Sequence, residues 1–161
     1  EKGKRIAYIT GTSLYNRLGL TTQIPKSIKI ASRVKRITVS SGNVKATPVK
    51  SYVDVTDRNF YLLELLDALK DFKQIPDLDK SSAIKILSKK LKELNPTETK
   101  ILIKCSLAYP PRVRSFLVAL LESINTSTDL KALKNSLHPL SEYEFGFEKK
   151  QLPTAENWNI K

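Results

Sequence analysis

Residues 56–70 read Thr-Asp-Arg-Asn-Phe-Tyr-Leu-Leu-Glu-Leu-Leu-Asp-Ala-Leu-Lys, and within them the hydrophobic period of the chain changes. From Asp57-Arg58-Asn59-Phe60 onward, Leu62, Leu63, Leu66 and Leu69 fall on one helical stripe, and Asp57 stands where a cap is expected. Before Thr56 the period is two, the spacing of half-buried strands. Residues 5–10 alternate weakly and end at Gly11. Residues 26–31 set Lys26, Ile28 and Ile30 on one side against Ser27 and Lys29 on the other. Residues 36–40 place Ile37 and Val39 on one face, Ser41-Gly42-Asn43 is a turn, and residues 44–49 return, which predicts a hairpin. Residues 52–55 read as one more short strand. Residues 13–18 form a short helix between Gly11 and Gly19.

After Lys70 the pattern stays helical. Residues 73–78, with Pro76, are a loop. Asp79 caps a helix whose stripe is Ile84, Leu87, Leu91 and Leu94, with Lys85, Lys89, Lys90 and Lys92 off it. Asn95-Pro96-Thr97-Glu98 has the cap, the first-turn proline and the capping-box acid of a helix start, and that helix runs to about Leu107. Tyr109-Pro110-Pro111 breaks the chain and begins another, with Val113, Phe116, Leu117, Leu120, Leu121 and Ile124 inward. Ser127 or Thr128 caps a shorter helix carrying Leu130, Leu133 and Leu137. Past Pro139, Tyr143, Phe145 and Phe147 alternate with Glu142, Glu144 and Gly146, which predicts a strand with an aromatic face that must be covered. The tail, residues 152–160, reads as extended, with Trp158 docked back on the domain. Strands first and helices afterwards define an α+β fold. It is one domain, 1–161, with a β-rich basic part (1–56), a helical part of four or five helices (57–138), and a strand and tail (139–161).

The 161 residues can bury a core without a disulfide or a metal. Cys105 is the single cysteine and sits in an apolar run, the pattern of a buried structural thiol; the cytoplasm is the expected compartment. No apolar run approaches the ~20 residues of a membrane span. The chain opens on Glu1 and goes straight into a strand-like run, as a domain cut from a longer protein would. The net charge of +12 is lopsided. Residues 1–56 hold eleven basic and two acidic residues, a balance of +9, whereas residues 57–161 hold seventeen and fourteen, a balance of +3. Such a field attracts polyanions without reading sequence.

Catalytic chemistry is poorly provided for. His138 is the only histidine, beside Pro139 at a helix end, and there is no cysteine pair, no HExxH and no glycine-rich phosphate loop. Asp54, Asp57 and Lys50 are the nearest approach to a metal-nuclease set, and their order is wrong for it. No cofactor or metal is expected, nor an enzyme. Binding residues are better represented. Lys26, Lys29, Arg33, Lys35, Arg36, Lys45 and Lys50 lie on the strands and their connection, with no aromatic interleaved for base stacking, so phosphate contact is what they support. Arg112 and Arg114 sit in the first turn of a helix, where positive charge opposes the dipole; either an internal carboxylate or an external anion would explain them.

Residues 11–25 read Gly-Thr-Ser-Leu-Tyr-Asn-Arg-Leu-Gly-Leu-Thr-Thr-Gln-Ile-Pro. The pattern of Asn16, Leu18, Gly19, Leu20, Thr21, Thr22, Gln23 and Pro25 resembles the AbiEi family of antitoxins from type IV toxin–antitoxin, or abortive-infection, systems. Three further segments share the resemblance in the same order. They are residues 59–70, residues 109–122 with Tyr109 and Pro110, and residues 152–161 with the Asn-Trp-Asn-Ile-Lys ending that holds Trp158. The resemblance implies a bacterial phage-defence antitoxin whose C-terminal domain counters a nucleotidyltransferase toxin as its cognate partner, without a stable complex. It also implies a preceding winged helix that represses the operon, absent from these residues. The motif residues themselves, Gly11, Asn16, Leu18 to Gln23, Pro25, Tyr109, Pro110 and Trp158, read as structural: Gly19 as a left-handed helix stop, Asn16 or Gln23 as a backbone hydrogen-bonder.

Overall fold

The computed structural model describes residues 3–38 and 40–161. Among the described residues four strands and six α-helices follow in the order β1 (Ala7–Thr10), α1 (Thr12–Arg17), β2 (Ser27–Ser32), β3 (Ser40–Ser41), β4 (Val44–Lys50), α2 (Phe60–Lys70), α3 (Lys80–Lys92), α4 (Pro96–Ser106), α5 (Pro111–Ser123) and α6 (Lys131–Asn135). The fold is α+β, with a mixed sheet of order β1-β2-β4-β3. β1 and β2 are antiparallel, with Ile9 opposite Ile30; β2 and β4 are parallel, with Ile30 opposite Pro48; β3 and β4 are antiparallel.

The parallel pairing explains one departure from the alternation. After β2 the chain must cross the end of β4 before turning back at Gly42, so residues 33–38 are a crossing segment and only Ser40–Ser41 pair. The expected strand over 36–40 is reduced to its end, and Val39 lies outside the described residues. Residues 52–55 are not a strand either, because side chains take their carbonyls. Arg33 donates to the Tyr52 carbonyl at 2.7 Å, and Asn59 donates to that of Asp54 at 2.8 Å. Asn59, not Asp57, is the cap of α2; its amide oxygen also accepts from the Thr56 N–H at 2.8 Å, while Asp57 pairs with Arg5 at 3.3 Å.

α2 is more than a one-sided stripe. Every residue from Leu62 to Leu69 is buried, Glu64 and Asp67 included, so it is the axis of the core. α5 packs beside it, buried from Ser115 through Leu121. Phe72, Phe116, Phe145 and Phe147 complete the centre, with Phe116 and Phe145 edge-to-face at 4.5 Å between centroids. Local signals were obeyed where they are strongest. Asp79 caps α3 by accepting from the Ser82 N–H at 3.0 Å, and the reciprocal Asn95–Glu98 box opens α4. The start of α6 differs: Asp129, rather than Ser127 or Thr128, accepts the Lys131 N–H at 2.9 Å.

The aromatic residues 143–147 are covered, but not as a strand. Gly146 has φ +77, which interrupts extension, and only Tyr143 bridges, in parallel, to Ile160. The tail is correspondingly not extended. Pro153 begins a 3-10 turn over Pro153–Trp158, ended by Asn159 in the left-handed region. Trp158 does dock: its indole N–H donates to Glu122 at 3.0 Å, its carbonyl accepts from the Ser115 hydroxyl at 2.7 Å, and Lys134 lies over the ring. Burial alone would raise the Glu122 carboxyl, but hydrogen bonds from Lys134, Trp158 and Asn157 outweigh it and hold the group below its usual range.

Candidate functional site: a cationic groove on the sheet

The sheet register sorts the seven sheet cations into separate places. Ser32 of β2 lies opposite Lys50 of β4, and the chain then leaves the sheet through Arg33-Val34-Lys35-Arg36. Arg33, Lys35, Arg36 and Lys50 therefore meet around a shallow groove of about 550 Å³ at this end, floored by Ser32, Val34, Pro48 and Val49. All four cations are exposed. Arg33 is anchored there, donating to the Tyr52 carbonyl and standing 3.9 Å from Asp54. Lys26, Lys29 and Lys45 are not part of it. They lie toward the opposite end of β2 and β4: at the rise of a strand Lys45 is about 16 Å from Lys50, and Lys29 about 10 Å from Ser32. Lys29 shares its face with Thr10, whereas Lys26 lines another groove with Ile24 and Ile28.

Arg112 and Arg114 leave the candidate set. Both point inward, and backbone carbonyls rather than a carboxylate receive them. The Arg112 guanidinium donates to the Lys70 carbonyl at the end of α2, where the helix dipole favours a cation. Arg114 donates to the carbonyls of Tyr109 at 3.2 Å and Ser136 at 2.6 Å, tying the start of α5 to the end of α6.

Several of the motif residues in 11–25 are likewise tied into the fold. Gly19 takes φ +80 after α1, the left-handed stop expected. The Asn16 amide donates to the Gln23 carbonyl at 3.0 Å, and the Gln23 amide reaches Asp77 at 2.9 Å. Leu20 and Thr21 are buried, Leu18 packs on the core, Pro25 is half-buried and Thr22 is exposed.

Sequence reading placed no candidate site at two constellations. One is a buried hydroxyl cage around Asp67. Tyr8 at 2.6 Å and Thr10 at 2.7 Å donate to one carboxylate oxygen, and Tyr109 at 2.7 Å donates to the other. Tyr15 donates to the Asp67 carbonyl at 3.0 Å and to Asp71. Burial raises the Asp67 carboxyl above its ordinary value, although the hydroxyls and Lys70 pull the other way. Burial first, and then the negative charge of Asp67, raise the phenols of Tyr8 and Tyr109, so they stay protonated donors. Beside the cage, buried Glu64 is neutralised by Arg17. The partners stand 42 to 59 residues apart, so no local spacing announces them. The other is a stripe on α3, where Lys85, Lys89 and Lys92 are exposed beside Ser88, Ser123 and Gln151. Its i, i+4, i+7 spacing was visible in the sequence.

The residues weighed for catalysis each have a local partner or are buried. Asp54 and Asp57 are each beside an arginine on the surface, the His138 ring nitrogen accepts the Leu140 N–H at 3.2 Å, and burial pushes the Cys105 thiol up. Among the described residues no group of three or more His, Cys, Asp or Glu side chains could hold a metal ion. Among them also, no helix is long and apolar enough to cross a membrane. No protein-family model, no curated protein and no solved structure matches the chain.

Proposed function

We propose that the chain is a non-catalytic binding domain acting as the toxin-countering part of an AbiEi-like type IV antitoxin in the cytoplasm. In this reading it opposes a nucleotidyltransferase toxin without forming a stable complex, and a winged helix outside these residues represses the operon. One observation carries the reading. The four segments that share the resemblance fold as one unit: Tyr15 and Tyr109 bond to Asp67, and Ser115 holds the carbonyl of Trp158. A pattern spread over most of the chain thus corresponds to one folded unit. The groove of Arg33, Lys35, Arg36 and Lys50 is then a surface open to an anionic target.

Rescue tests this reading. Cells expressing the nucleotidyltransferase from the neighbouring gene should survive when this chain is co-expressed, and Arg36→Glu with Lys50→Glu should abolish survival while the melting temperature holds. Full survival with the doubly reversed chain removes the groove from the mechanism. No survival with the unaltered chain removes the antitoxin reading. The four converging cations also favour a second reading, a nucleic-acid-binding module without sequence preference. It requires duplex binding that weakens steeply as salt rises and does not distinguish an operator from random sequence.

A further inference from the structure

The two faces of the sheet are patterned the wrong way round for a sheet with one wet side. The inner face bears Tyr8 and Thr10, which reach Asp67, and next to them Ala31 and Val49. Where that face extends past the helices it is polar: Lys29, Thr47, Ser27 and Lys45. The outer face carries a row Ile9–Ile30–Pro48 across three strands, and Ile28–Ala46 beside it. Ile9 is 43% exposed, and Ile28, Ile30 and Pro48 are only half-buried and lie outside the hydrophobic core. The patch continues to Ile24, 87% exposed, at one end and to Val34, 61% exposed, at the other. Parallel strands are almost always covered on both faces, yet the β2–β4 pair has its aliphatic side bare. A patch of this kind marks an interaction surface.

We infer that this outer face docks a protein segment with an aliphatic centre and acidic flanks. Charge selects the occupant. Residues 2–53 contain no acidic residue, so the charges that the sheet itself places at the ends of the patch are positive, with Asp54 standing 3.9 Å from Arg33. Lys26 stands beside Ile24 and Ile28 at one end, and Lys50, Arg33 and Arg36 share the groove with Pro48 and Val34 at the other. A second copy docked through the same face would bring two cationic rims together. A nucleic acid would neutralise the rims but leave the isoleucines against phosphates, and the row offers no aromatic ring for a base to stack on. An acidic aliphatic segment satisfies both. The inference does not depend on the antitoxin reading; it concerns the sheet face alone.

The probe is a synthetic peptide of alternating valine and threonine with glutamates at both ends. Its controls are the same peptide ended by lysines, a short DNA duplex, and phosphatidylserine vesicles. Methyl resonances of Ile9, Ile28 and Ile30 should shift with the acidic peptide and not with the basic one, while Trp158, docked against Ser115 and Glu122, stays unmoved. Ile30→Glu should weaken binding at least tenfold, about 1.4 kcal/mol. Ile9→Ser, at a more exposed position, should weaken it with unchanged thermal unfolding, and it decides the matter if Ile30→Glu fails to fold. Equal shifts with the basic peptide, or none with the acidic one, overturn the inference. So do shifts produced only by duplex or vesicles. Concentration-dependent self-association that Ile30→Glu abolishes would instead give the face to a second copy. Rescue of toxin-expressing cells plays no part in these readouts, so failure here and failure of the antitoxin reading are separable.

Discussion

The helical part and the sheet use the same kinds of residue in opposite ways. Among the helices, Arg112, Arg114, Glu64 and Asp67 all turn inward and are satisfied by carbonyls, an arginine or hydroxyls. On the sheet, Arg33, Lys35, Arg36 and Lys50 turn outward around an open groove. An arginine in an unusual place is therefore a poor guide to binding. The Tyr109-Pro110-Pro111-Arg112 segment looks functional in sequence, yet its side chains hold the fold together. The ordinary lysines and arginines after β2 face outward.

Substitutions can break this contrast. The largest effect is expected at Asp67. Asp67→Ala leaves the hydroxyls of Tyr8, Thr10 and Tyr109 unpaired in the interior, and should cost on the order of 3–5 kcal/mol in denaturant unfolding. Asp67→Asn sharpens the point through pH. The folded-state carboxyl lies above its unfolded value, so its favourable contribution is complete in acid and is lost as pH rises through the folded value. Stability of the natural chain should fall relative to Asp67→Asn as pH rises out of the ordinary carboxylate range; parallel curves would contradict the assignment.

Arg114→Ala comes next. It removes charged hydrogen bonds to the Tyr109 and Ser136 carbonyls and should lower stability by about 1.5–3 kcal/mol in the same assay. Gly19→Ala has open space around the new methyl, the nearest atom being Ile86 Cδ1 at 3.9 Å, so only the backbone conformation is penalised, by about 1–2 kcal/mol. The smallest change belongs to the groove. Arg36→Glu with Lys50→Glu should shift stability by no more than about 0.5 kcal/mol, read from thermal unfolding. A large loss there would mean that the sheet cations, like the helical ones, are part of the framework.

Legibility followed distance along the chain. The Asn95–Glu98 box and the Asp79 cap are settled within three residues, and sequence reading found both. The Gly19 stop is equally local. The order of strands before helices needs only the change of period at Thr56. The Asp67 cage needs partners from three distant elements, and a lone aspartate in a leucine-rich helix gives no sign of them. Period two over residues 143–147 did report one covered face, but it cannot say that a neighbouring strand exists, and the core aromatics cover that face instead. In the same way, basic residues near one another in sequence could not be divided into groove and non-groove members until the parallel register of β2 and β4 was known.

Ile160 is buried, the Thr154 hydroxyl donates to the Ala119 carbonyl at 2.6 Å, and Lys161 closes back on Tyr143 through its N–H at 2.8 Å. The wall of the core beside α5 is thus built from residues that are synthesised about thirty positions after α5 itself. A ribosome adds about 5–20 residues each second, and its exit tunnel still holds this stretch after α5 has emerged. For that interval the apolar side of α5 has no cover, so a nascent chain in which α5 has emerged and residues 152–160 have not is the form of this domain most in need of a chaperone.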